Sequence, residues 1–298
     1  MPIGLLALAL IIMTLDLVAL TKPRITLMTL LVAGGCMMLA EARLAFSDAA
    51  LALLGIALLV SGSSAFNMYI EHEHDKHMKR NRNRPLPSGR LKPGLALWVG
   101  FLTSILAIPA LVSSTNWLTA WLGFGSLLAY VLIYTPMKRW STWALVVGAV
   151  PGAMPALMGY TAVSGKIDST GLALFGLAFF WQLPHFIAIG IFRKDEYTRA
   201  GFPVIAQVTG EPAAILLSVF TTVLIVLNAG LLWWLEIGGV FYGCVSTLLG
   251  IWFLVIAGLG FFSADTKIWA RKLFMASLVY QAVLFVALAV DGLLCKLL

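Results

Sequence analysis

The chain has 298 residues, of which 61% are hydrophobic and 11% charged, with a mean hydropathy of +0.96. A soluble domain carries about 25% charged residues, so this much apolar side chain exceeds what a soluble core can bury. The apolar runs are long and continuous rather than alternating, which excludes a β-barrel and leaves membrane-spanning helices. The formal net charge of +7 raises the question of nucleic acid. In a membrane chain basic residues first report orientation, and no nucleic-acid partner is expected.

In chain order, Met1 to Leu20 is apolar but lacks a basic leader and a small-residue cleavage site. With Asp16 and the following Thr21-Lys22-Pro23-Arg24, it reads as a surface-lying or partly inserted helix. Nine spans follow, at about 25–42, 49–70, 95–114, 117–135, 143–163, 171–192, 213–235, 239–262 and 270–291. With the N-terminus inside, every Lys and Arg except Arg43, Lys166 and Lys296 falls on one side. The positive-inside rule then puts the N-terminus in the cytoplasm and the C-terminus outside. The expected fold is all-α and polytopic, about nine transmembrane helices around a central cavity opening to the cytoplasmic face. Residues 1–298 form one domain: 1–24 are a cytoplasmic or interfacial segment, and 71–94 and 193–212 are the cytoplasmic loops that carry chemistry. Cys36, Cys244 and Cys295 lie in or beside apolar runs, and their odd count and wide spacing give no disulfide or zinc framework.

The second span ends in Asn67-Met68-Tyr69-Ile70-Glu71-His72-Glu73-His74-Asp75. Asn67, Glu71 and Asp75 are spaced i, i+4, i+8 and form one helical stripe beginning at membrane depth. Acids there are costly unless they meet a cation. A row of hard oxygen donors suits Mg²⁺ that also holds phosphate oxygens. The arginines that follow, Arg80 and Arg84 among them, supply donors for those oxygens. Acids for a metal beside arginines for phosphate make the two halves of a metal–diphosphate clamp. His72, His74 and His77 raise a transition-metal site, but their spacing does not put all three on one helix face.

The sixth span ends in Trp181-Gln182-Leu183-Pro184-His185-Phe186, followed by Arg193-Lys194-Asp195-Glu196-Tyr197. Asp195 and Glu196 form a second acidic pair at the same membrane face. His185 lies about two turns before Arg193 inside the apolar span, where a substrate role competes with a simple hydrogen-bonded core histidine. Pro184 is expected to kink the helix and free a carbonyl. The fourth span ends in Tyr134-Thr135-Pro136-Met137-Lys138-Arg139, bringing an aromatic and two cations to that face. The other class compatible with intramembrane acids is a transporter, whose acids sit near the midplane rather than at one face.

These motifs resemble the UbiA-type intramembrane prenyltransferase superfamily. The run Pro184-His185-Phe186, the run Arg193-Lys194-Asp195-Glu196-Tyr197 and Thr21-Lys22-Pro23-Arg24 are similar to its protoheme IX farnesyltransferase (heme O synthase) branch. The resemblance implies transfer of a farnesyl group from farnesyl diphosphate to the 2-vinyl group of heme b, with water addition, giving heme O. Heme b is then a substrate rather than a resident cofactor, and Mg²⁺ the metal. It implies catalytic and metal-binding roles for Asn67, Glu71, Asp75 and Asp195, with Glu196 assisting. Diphosphate contacts fall to Arg80, Arg84, Tyr134, Lys138, Arg193 and Lys194, and heme contacts to His185 and Tyr197. It further implies a bacterial inner-membrane location with a periplasmic C-terminus, and heme A synthase or terminal-oxidase assembly factors as partners besides membrane lipid. The alternative within the superfamily is an aromatic or quinone-precursor acceptor. Glu71 and Glu196 stand where Asp is more usual, Asn81 replaces a usual Thr, and Trp181-Gln182-Leu183 replaces a Trp-Thr-Pro-type run.

Overall fold

Long runs of Leu, Ala, Val and Ile offer the backbone no polar partner but itself, and helices are the outcome. The computed structural model describes the backbone of residues 3–297 and the side chains of residues 10–292. Among these residues there is no strand. The elements are α1 (Ile3–Leu20), α2 (Pro23–Met38), α3 (Phe46–Asp75), α4 (Pro93–Ser114), α5 (Trp117–Leu128), a π-helical turn (Ala129–Tyr134) and α6 (Thr135–Met137). They continue with α7 (Ala144–Ser164), α8 (Ser169–Phe192), α9 (Lys194–Arg199), α10 (Ile205–Val208), α11 (Glu211–Trp234), α12 (Val240–Gly258) and α13 (Thr266–Leu297).

Among the described residues, eight helices are individually long and apolar enough to cross a bilayer, and they match eight of the expected spans within a few residues. The first span differs. Its helix α2 starts at Pro23 and stops at Met38, giving only 16 residues, short of the ~20 a bilayer requires. Glu41 and Arg43 limit its extension. It completes a span only with Leu10–Leu20 of α1, from which it is bent by 45°. The bend sits at Lys22, which holds the left-handed conformation (φ 47) ahead of Pro23. Cys36 is buried, Cys244 is exposed, and both are free thiols. Cys295 and Lys296 lie outside the described side chains.

The bundle has two large apolar clusters. One gathers around α8, which packs against α7, α11 and α13. The other joins α2, α3, α4, α5 and α7. Small residues set the closest approaches, as is usual where lipid gives no hydrophobic drive between helices. A Cβ built on Gly159 of α7 would lie 2.1 Å from the Ala33 carbonyl oxygen of α2. On α3, one built on Gly62 would meet Ser104 Oγ of α4 at 2.4 Å. α8 continues through Pro184 rather than ending there.

Two connections at one end of the bundle touch each other. Met78, from the α3–α4 connection, is buried against Tyr197, Ala200 and Phe202 of the α8–α11 connection. Gly201 makes that turn at φ 75, a conformation only glycine adopts without strain.

The Gly159–Ala33 contact is tested by Gly159→Ala. Forcing the methyl in is expected to cost about 1–3 kcal/mol, read as a lower Tm in detergent. Gly230→Ala, which meets open space, should leave the Tm unchanged or raise it.

Candidate active site

The stripe expected on α3 is present and faces inward. Asn67, Glu71 and Asp75 are 2%, 7% and 2% exposed. Three charged or polar groups buried on one helix face require partners, and each has one from another segment. Asn67 Oδ1 accepts from Lys22 Nζ at 2.8 Å, and its amide nitrogen donates to Thr135 Oγ1 at 3.3 Å. Glu71 is ion-paired with Lys138. Asp75 accepts from Arg84 Nη1 at 2.8 Å and from Asn81 Nδ2 at 2.7 Å. Lys138 Nζ also lies 4.7 Å from the centre of the Tyr134 ring, within cation–π reach.

The local sequence explains these positions. Pro23 forces the start of α2 and leaves Lys22 at the bend beside α3. The π-helical turn Ala129–Tyr134 adds a residue to the register, as such turns often do at functional sites. Thr135 Oγ1 donates to Tyr130 O across it at 2.8 Å. Gly148 of α7 makes room for the Tyr134 ring, because a Cβ there would lie 2.3 Å from Tyr134 Cε2.

A second layer closes over the stripe. The Arg80 backbone N–H donates to Glu196 Oε1 at 3.2 Å, and Arg80 Nη2 donates to the Tyr197 hydroxyl at 2.9 Å. Arg193 Nη1 donates to Glu196 Oε2 at 3.0 Å. Burial would raise the Glu196 pKa, but the Arg80 N–H and the Arg193 guanidinium hold it below the ordinary glutamate value. Arg90 grips both oxygens of Asp16, with Nε and Nη2 each at 2.9 Å, and also donates to Asn83 O at 3.0 Å. That fork ties α1 to the connection carrying Arg80 and Arg84.

Not every expected residue joins the group. Asp195 is 63% exposed and its contact is Lys267 of α13 at 2.7 Å, which lowers its pKa. Glu196 (7% exposed) is the acid of that pair turned toward the α3–α4 connection. At the entrance to α9 successive side chains diverge, so only one of two adjacent acids can face inward. Lys194 lies 3.6 Å from Glu211. His185 is enclosed: its ring lies 4.7 Å from both Trp181 and Phe274, and Nδ1 meets Ser277 Oγ at 2.8 Å. Conversely, Lys22, Asn81 and Thr135 were not expected to touch the stripe. The signals present were Pro23 fixing the backbone beside Lys22 and the Asn81 departure, which now supplies a hydrogen bond to Asp75.

The donor set fits Mg²⁺. Mg²⁺ is held by one or two carboxylates, waters and substrate phosphate oxygens rather than by an all-protein cage. Asn67, Glu71 and Asp75 offer hard oxygens, and cations stand beside them to take a phosphate. Among the described residues no three His, Cys, Asp or Glu side chains gather as a self-sufficient metal site. The histidines have other neighbours: His72 Nδ1 meets Tyr69 O at 2.6 Å, while His74 packs on Phe202 with ring centres 5.7 Å apart.

Below the stripe lies a half-open apolar cavity of about 120 Å³ among α2, α3, α5 and α7, with Lys22, Ile56, Leu59, Tyr130 and Met158 in its wall.

Residues 26–278 match the UbiA prenyltransferase family. The chain is 44% identical over 276 residues to the protoheme IX farnesyltransferase of Myxococcus xanthus, covering 93% of this chain and 94% of that protein. With the protoheme IX farnesyltransferase of Opitutus terrae the identity is 35%, covering 93% and 95%. Among solved structures, the fold matches one described for digeranylgeranylglyceryl phosphate synthase with a TM-score of 0.79 at 16% identity, covering 93% of this chain and 97% of that one. It matches a UbiA homologue from Archaeoglobus fulgidus bound to DMAPP and Mg²⁺ with a TM-score of 0.67 at 15% identity, covering 92% and 99%.

If the Asp16–Arg90 fork holds the α3–α4 connection down, Asp16→Asn loosens it. Trypsin should then cut within residues 76–92 about fivefold faster, matching about 1 kcal/mol of lost tethering. An unchanged rate would show that the fork does not hold the connection.

Proposed function

The chain belongs to the UbiA prenyltransferase family, and on that premise we propose that it transfers the farnesyl group of farnesyl diphosphate to the 2-vinyl group of heme b, yielding heme O. The observation that carries this reading is the buried Asn67–Glu71–Asp75 stripe with Lys22, Lys138 and Arg84 against it, at the mouth of an apolar cavity. The relatives named as protoheme IX farnesyltransferases support heme as the acceptor over an aromatic or quinone-precursor acid. The one-sided placement of the acids, together with the family, argues against a transporter.

Asn67, Glu71 and Asp75 would hold Mg²⁺, with Glu196 rather than Asp195 the acid of the second connection turned toward the α3–α4 connection. When bound there, the metal would supply charge neutralisation to the diphosphate leaving group. Arg84, Lys138 and Lys22 then face the charge that grows on the leaving oxygen, and Arg80 and Arg193 lie in the layer above. The allylic C–O bond breaks with its electron pair going to the diphosphate. The apolar walls around Ile56, Leu59 and Met158 keep water from the farnesyl cation. The vinyl π pair forms the new C–C bond, and the cation left on the vinyl carbon takes up water and releases one proton. Tyr197 stands on the side from which the acceptor approaches, and His185 braces the helix behind it. The charged end faces the cytoplasm in a bacterial inner membrane, with the C-terminus periplasmic, so diphosphate returns to water on the side that holds most basic residues. Heme A synthase and terminal-oxidase assembly factors are the natural recipients of the product.

Purified protein with farnesyl diphosphate and heme b should yield a more hydrophobic heme on reversed-phase chromatography, and only with a divalent cation. Asp75→Ala should lower turnover by on the order of 10²–10³. Prenylation of a hydroxybenzoate with no heme product would overturn the assignment.

A further inference from the structure

A second half-open cavity, of about 110 Å³, lies on the other side of the π-helical turn. Tyr130 lines the first cavity and Tyr134 the second, and their ring centres are 5.2 Å apart. The two rings of one turn therefore form the partition. The ionic stripe spans the same partition: Asn67 reaches Lys22, which lines the first cavity, and Glu71 reaches Lys138, which lines the second. A diphosphate held on this stripe sits where both cavities end. An enzyme that joins two large apolar substrates at one carbon needs this arrangement.

The walls of the two cavities differ in kind. The first has a single aromatic residue, Tyr130, among aliphatic side chains such as Ile56, Leu59 and Leu127 and the hydroxyls of Thr29, Ser63, Ser64 and Ser126. The second carries four aromatic residues, Tyr134, Phe186, Tyr197 and Phe202, and the difference lies in those rings, since both walls hold hydroxyls. Flat aromatic faces suit a flat aromatic ligand, stacking offset or edge-on. Just beyond Phe202 and Pro203, which the two spaces share, an outer recess carries Arg139 and Trp140. Arg139 donates to the Ile70 carbonyl at 2.9 Å and retains further N–H donors. A cation there is placed for the carboxylates of a large flat acid whose apolar edge enters the cavity. The cavity volume admits one edge of a porphyrin, not the macrocycle.

We propose that the cavity lined by Tyr134, Phe186, Gly190, Tyr197 and Phe202 is the acceptor subsite. The vinyl-bearing edge of the porphyrin enters there, its propionates reach Arg139, and the allylic head of the prenyl donor occupies the first cavity across the Tyr130–Tyr134 partition. This rests on the farnesyl-to-heme reading above. It makes His185 a positioning residue, because its ring is enclosed behind Phe186 and lines neither cavity.

Gly190 gives the cleanest test. A Cβ there would touch Val204 at 3.5 Å, an ordinary van der Waals contact, and both residues line the cavity, so a larger side chain narrows it. Gly190→Leu, with Leu145→Trp as a second variant in the same wall, should raise the KM for heme about tenfold. Heme binding measured by absorbance without prenyl donor should weaken equally, while the KM for farnesyl diphosphate stays within about twofold. Val60→Trp in the wall of the first cavity should show the opposite split. Variants at Gly190 and Leu145 that raise only the farnesyl diphosphate KM, or that bind heme as the parent does, overturn the subsite assignment. If the parent protein prenylates another acceptor and not heme, the functional reading fails; a selective rise in that acceptor's KM would still uphold the subsite.

Discussion

A buried charge in a low-dielectric bundle must have a partner, and that constraint organises this molecule. The α3 stripe carries two carboxylates and an amide into the interior. They are tolerable only because Lys22, Lys138, Arg84 and Asn81 arrive from three other segments to meet them. These are the contacts that, on the function proposed above, a metal and a diphosphate would replace. On that reading Glu71 and Asp75 would exchange a cation of the protein for the metal, and Lys138, Arg84 and Lys22 would exchange two carboxylates and an amide for phosphate oxygens.

The remaining architecture serves that exchange. Close helix contacts through Gly159 and Gly62 keep α2, α3, α4 and α7 near enough for their ends to share one network. The two long connections lie over it, pinned by Met78 against Ala200 and Phe202 and by Arg80 against Glu196 and Tyr197. The cavity walled by Ile56, Leu59 and Met158 begins directly below, where on the proposed function an ionised allylic group would be received.

How far the sequence foretold this varies with the kind of signal. Eight of nine spans were legible because hydrophobic length is a direct consequence of bilayer thickness. The inward stripe was legible because i, i+4, i+8 spacing fixes a shared face on any helix. The first span was read too far at its C-terminal end, since α2 stops at Met38, ahead of Glu41 and Arg43. Asp195 and Glu196 are adjacent in sequence, and which of them turns inward depends on the backbone entering α9. The closeness of Lys22 to Asn67 depends on the 45° bend, a tertiary fact. Periodicity likewise could not reveal that His185 lies enclosed between two rings, because an apolar helix buried on several sides has no unique face.

The most direct measurement is a structure of the protein with Mg²⁺ and the unreactive analogue farnesyl thiodiphosphate. The account predicts metal density against Asn67 and the Glu71 or Asp75 carboxylate, with phosphate oxygens on Lys138, Arg84 and Lys22 in place of their present carboxylate and amide partners. A diphosphate bound elsewhere, with the Glu71–Lys138 and Asp75–Arg84 pairs intact, would contradict it.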